Sequence, residues 1–109
     1  GMIIPSCGSL INSILLQSAL QWINMENLLL RYGATRILMS LVNKTENQMI
    51  VNRTIMNLIN CEGAPIKNYL LKNITTPGVM EATREYVLEK CKQDFNYAVR
   101  MVCDEKLKS

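Results

Sequence analysis

The chain contains no histidine, which removes the commonest general base, the usual nucleophile triads and most zinc sites at once. Four cysteines, Cys7, Cys61, Cys91 and Cys103, remain as candidates for metal or redox chemistry. They include no C-x-x-C pair to nucleate a zinc site and do not form the dense framework of a small disulfide scaffold, so buried free thiols are the expectation. Lys90 and Lys92 flank Cys91 and would lower its pKa if it were exposed, which makes it the thiol with the best chance of reactivity. Gly33 and Gly63 stand alone, without the Lys-Ser or Lys-Thr of a phosphate loop. The carboxylate pairs Asp104-Glu105 and Glu85 with Glu89 fall on what reads as a solvated helix. No catalytic residue, metal ligand or cofactor is therefore expected.

A binding function is left, and it needs a scaffold. The 109 residues suit one domain, large enough for a single core. Hydrophobic residues make up 49% of the chain and aromatics 6%, with one Trp and seven Met. A core of Leu, Ile, Val and Met favours helices over strands. The net charge of +3 comes from basic residues scattered from Arg31 to Lys108, so a nucleic-acid partner is not expected. Three sequons begin at Asn43, Asn52 and Asn73, and Asn52 falls within an amphipathic pattern. Gly1 ahead of Met2 reads as a scar of tag removal. Neither a signal peptide nor an apolar run long enough to span a bilayer is visible, and a cytoplasmic or nuclear location is expected.

Helical periodicity is the dominant pattern. Ile11, Leu15, Ala19, Trp22 and Ile23 form a stripe over 9–24. A short piece at 25–32 ends at Gly33, and another covers 35–42. Thr45 and Gln48 have capping-box spacing ahead of a helix over 46–60 that buries Val51, Ile55, Leu58 and Ile59, with Asn47, Arg53 and Asn57 at its margins. Pro65 suits the first turn of a helix through Leu71. By the same logic Thr76-Pro77 opens a single long helix over 77–106, with Leu88, Cys91, Phe95, Ala98 and Val102 on its inner side. The fold class is all-α, a stack of five to six helices in one domain.

Gly33-Ala34 is matched thirty residues on by Gly63-Ala64, Leu41 by Leu71, Asn43 by Asn73, Leu58 by Leu88 and Cys61 by Cys91. Such self-similarity points to stacked helical units, none able to bury its apolar side alone. An irregular helical bundle is the alternative. Over roughly residues 10–91, the stretches Gly33-Ala34-Thr35-Arg36-Ile37-Leu38-Met39-Ser40-Leu41-Val42 and Thr54-Ile55-Met56-Asn57-Leu58 resemble the armadillo and HEAT families of helical repeats. The resemblance implies a protein-binding surface on the inner helices, with Asn57 at the position of the asparagine that clamps a bound peptide backbone and Trp22 and Val87 at its counterparts.

The expected function is a non-catalytic interaction module that docks a peptide or helix of a partner protein through Trp22, Arg53, Asn57 and Arg84. Two alternatives stand beside it. One is a homo-oligomerising structural unit. The other is a small nucleic-acid binder using Arg31, Arg36, Lys44 and Arg53.

Overall fold

A computed structural model of the chain describes residues 7–44 and 46–108, with side chains from Leu10 onward. Among these residues six helices follow one another: α1 (Cys7–Trp22), α2 (Leu28–Leu41), α3 (Gln48–Cys61), α4 (Ala64–Lys72), α5 (Glu81–Lys92) and α6 (Tyr97–Leu107). Among the described residues there is no strand. The all-α stack expected from composition and periodicity is the observed architecture.

Each helix is delimited by local chemistry. α1 ends where the Asn24 side chain donates to the Leu20 carbonyl, at 3.2 Å, satisfying an acceptor that the helix no longer can. α2 begins at Asn27, whose Oδ1 accepts from the N–H groups of Leu29 and Leu30 at 2.8 and 3.3 Å. It then runs straight through Gly33, which does not take the left-handed conformation expected of it. The two short pieces read on either side of that glycine are one helix. The capping box falls on Thr45, outside the described residues, and Gln48 bonds elsewhere. In α4, Pro65 does occupy the first turn.

The long helix over 77–106 is two helices. Asp94 Oδ1 accepts from the Asn96 N–H at 2.8 Å, and Asn96 Oδ1 in turn accepts from Ala98 and Val99 N–H at 2.9 and 3.3 Å. These side chains offer the backbone better partners than helical continuation does, so the chain restarts at Tyr97. The break rotates α6 relative to α5. Phe95, expected on the inner side, is fully exposed, and Val99 and Cys103 are buried in its place. The start of α5 is likewise later than expected, because Pro77 and Gly78 form a turn.

That turn is held by a close backbone approach and by side-chain hydrogen bonds. Gly78 sits at φ +101°, and a Cβ there would meet the Val42 carbonyl oxygen at 2.6 Å. Two α3 side chains hold it: Gln48 Nε2 and Asn52 Nδ2 both donate to the Gly78 carbonyl, at 2.7 and 3.1 Å, while Asn52 Oδ1 accepts from the Met80 N–H at 2.8 Å. Asn52 is thus a buried structural pin.

Packing pairs helices within a layer and between layers. α3 packs on α5, α4 on α6 and α2 on α4, while α1 leans on α2, α3 on α4 and α5 on α6. The result is a slab of 53 × 30 × 15 Å. Its core is aliphatic: Leu38, Val51, Ile55, Ile66, Leu70, Leu71, Val87 and Val99 are all at most 1% exposed. The Tyr32 and Tyr69 rings, 5.4 Å apart and tilted, close the α2–α4 contact. Two of the pairs matched at the thirty-residue offset differ in setting. Gly33 lies inside α2, whereas Gly63 is the N-cap of α4; Cys61 is exposed at the end of α3, whereas Cys91 is buried.

Candidate functional site

The α3 helix has two unlike sides. Val51, Ile55, Leu58 and Ile59 face the core. Met49, Arg53 and Asn57, one turn apart along the opposite side, are exposed. Met49 and Ile50 are 67% and 43% exposed, an apolar start to a stripe that becomes polar toward Asn57. Neither the Arg53 guanidinium nor the Asn57 amide has a hydrogen-bond or ion-pair partner among the described residues.

Asn57 also lines a cavity of about 320 Å³ between α3 and the end of α1. Leu20, Ile23 and Asn24 form one wall, and Thr54, Asn57 and Cys61 the other. The Thr54 hydroxyl is already committed to the Ile50 carbonyl at 2.7 Å and Asn24 to Leu20. The Asn57 amide carries no bond of its own among the described residues and is available to a ligand over a floor of aliphatic carbon. Trp22, the last residue of α1, is 39% exposed, and Met25 in the following turn is 46% exposed.

Arg84 lies on α5. The Asn52–Met80 and Asn60–Tyr86 hydrogen bonds, the second of 2.8 Å, run from α3 to α5 in the same sense. The two helices are parallel, and Arg84 falls at the level of α3 between Asn52 and Asn60. Its side chain is half-buried and makes no ion pair with a described residue. Val87, the other position suggested by the resemblance, is fully buried and belongs to the core.

Met25, beside Trp22, was readable from the sequence as part of a partner anchor, whereas Met49 and the place of Ile23 and Asn24 in the cleft were not read from it. Met49 was legible as the first member of the Met49, Arg53, Asn57 series opposite the buried face. The cleft was not, because it depends on how α1 leans toward α3. Of the basic residues named for nucleic acid, Arg31 pairs through Nε with Glu62 at 2.9 Å, and its Nη1 donates to the carbonyls of Met25 and Glu26. Arg36, on the same helix, is exposed and lines a cavity of about 530 Å³ between α2 and α4.

The thiols have opposite settings. Cys61 is exposed. Cys91 is buried, and that burial, reinforced by Cys103 and Asp94 and opposed by Lys67, pushes its pKa up to about 12. The flanking lysines do not activate it, since Lys90 and Lys92 point to solvent. Cys103 is also raised, chiefly by burial, and lies 3.2 Å from the Leu88 carbonyl oxygen. Among the described residues, no group of three or more Cys, Asp or Glu is arranged to hold a metal ion. No described helix is long and apolar enough to cross a membrane.

No protein-family model, curated protein or solved structure matches the chain.

Proposed function

We propose that this chain is a non-catalytic docking module that holds a peptide or helix of a partner protein along the outer side of α3 and the end of α1. The observation that carries the reading is the stripe of exposed Met49, Arg53 and Asn57, whose last member opens onto an apolar cleft with its amide unbonded. A partner would place an apolar side chain in the cleft over Leu20 and Ile23, with Trp22 as the aromatic neighbour that excludes water. Asn57 would bond its backbone. The unpaired guanidinium groups of Arg53 and Arg84 favour carboxylates on the partner and would raise its association rate.

The same reading takes the fold as an armadillo- or HEAT-type stack. Support comes from the layering, in which α3 meets α5 while α2 and α6 both meet α4, an arrangement suited to an extended face rather than a closed pocket. A cytoplasmic or nuclear location belongs to this reading, and the free Cys61, Cys91 and Cys103 agree with it.

Quantitative pull-down from the native source, comparing wild type with Trp22→Ala and Arg53→Glu, tests it. Both side chains are exposed, so both variants should keep wild-type helicity and lose the partner. Retention of every partner by both folded variants would remove this face as the docking site.

A further inference from the structure

The starts of α2 and α6 are built alike. Asn27 and Asn96 cap the two helices through the same pair of N–H bonds. Four residues later, Arg31 turns Nη1 back onto the Met25 and Glu26 carbonyls, and Arg100 turns Nη1 onto those of Asp94 and Phe95. α4 begins at Gly63 and carries Lys67 at the corresponding place. Each even-numbered helix therefore has a cation one turn past its cap.

Inside the stack these cations form a ladder. Arg31 pairs with Glu62, the residue just ahead of the Gly63 cap, and Lys67 pairs with Asp94, two ahead of the Asn96 cap. Both pairs are largely buried. Burial alone would raise the Asp94 carboxyl, but the Lys67 hydrogen bond, the Asn96 N–H and the charges of Lys67 and Arg100 outweigh it and hold the group below the usual range.

The ladder is open at both ends. No described carboxylate lies within ion-pair distance of Arg100. At the opposite end Glu26 stands just ahead of the Asn27 cap, as Glu62 stands ahead of Gly63, and its exposed carboxylate has no cation among the described residues. Beside these two groups, both ends carry exposed apolar side chains, and Arg100 itself stands over the Tyr97 ring at 5.7 Å. Ile11 and Ile14 of α1 and Leu29 of α2 are 55%, 57% and 80% exposed, and Tyr97, Met101 and Leu107 of α6 are 67%, 47% and 51% exposed.

We propose that a second copy of this chain continues the stack, with Arg100 of one copy paired to Glu26 of the next. α6 of the first copy would lie against α2 of the second and α5 against α1, in the layering that already joins α4 to α6 and α3 to α5. Cation and acid then stand in the register of Arg31 and Glu62. Because the two surfaces differ, the contact is head-to-tail and need not close, so assemblies lengthen with concentration. It uses neither Trp22, Arg53 nor Asn57, so the docking reading and this one fail separately.

Sedimentation velocity over a concentration series tests the proposal. Wild type should grow beyond a dimer, and Glu26→Arg and Arg100→Glu should each weaken association at least roughly tenfold by setting like charges together. An equimolar mixture of the two variants should recover growth beyond a dimer, since every contact between unlike variants sets opposite charges together. Glu26 is exposed, so if Arg100→Glu loses helicity the Glu26→Arg result decides alone. A wild type that stays monomeric, one that closes at two copies, or association indifferent to Glu26→Arg would overturn the proposal.

Discussion

α1 and α3 are of similar length, 16 and 14 residues, and both are rich in aliphatic side chains, yet they end up in opposite circumstances. α3 is gripped by α4 and α5 and buries Val51, Asn52, Thr54, Ile55, Leu58 and Ile59. α1 leans on α2 and buries Leu16 and Ala19, leaving Leu10, Ile11, Ile14 and Leu15 at 38–57% exposure. α3 is the more amphipathic of the two. It also has more neighbours, because in a layered stack an end helix has a side that no other described element reaches.

Deleting the same side chain from each helix gives the contrast its sharpest form. Ile55 is fully buried, and Ile55→Ala should destabilise the fold by about 2–5 kcal/mol through lost transfer energy and the cavity left behind. Urea denaturation measures this directly. A smaller but still clear loss is expected for Asn52→Ala, about 1–3 kcal/mol, because the Met80 N–H loses its acceptor. Gln48 would still hold the Gly78 carbonyl, so the turn should loosen rather than detach, and faster amide exchange at Met80 would report it.

Between the two helices, α2 offers a change of the other sign. A Cβ at Gly33 meets nothing within 4 Å, and Gly33→Ala should stabilise by about 0.5–1 kcal/mol through the lower conformational entropy of the unfolded chain. A rise in thermal midpoint measures it, and a fall would show that the glycine is needed. Smallest of all is Ile14→Ala, expected within about 0.5 kcal/mol of wild type at dilute protein concentration, since a residue 57% exposed has little packing to lose. A penalty like that of Ile55→Ala would mean that α1 is covered after all and would erase the contrast.

Much of this was readable from residue spacing. The α3 core face, the α4 start at Pro65 and the all-α class follow from period and propensity, because those signals lie within one helix. Breaks were harder. Gly33 permits a helix end without requiring one, and the cap at Asn27 with the Arg31 clip sets α2 independently of it. The break after Lys92 was masked by apolar residues that continue in phase across it, while the deciding groups, Asp94, Asn96 and Arg100, are polar and act locally. Asn52 looked like a sequon because its partners, Gly78 and Met80, lie in a distant turn. Among the site residues, Arg53 and Asn57 were legible from their place opposite the buried face. Neither the cleft beside Asn57 nor the unpaired Glu26 and Arg100 could be seen, since each depends on which helices become neighbours.

The docking face is tested most directly by partner retention on three immobilised variants of one folded scaffold, Arg53→Glu, Asn57→Ala and Glu26→Arg. The first two should release the partner and the third should hold it as wild type does. Loss with Glu26→Arg and retention with both α3 variants would contradict the assignment of docking to the outer side of α3.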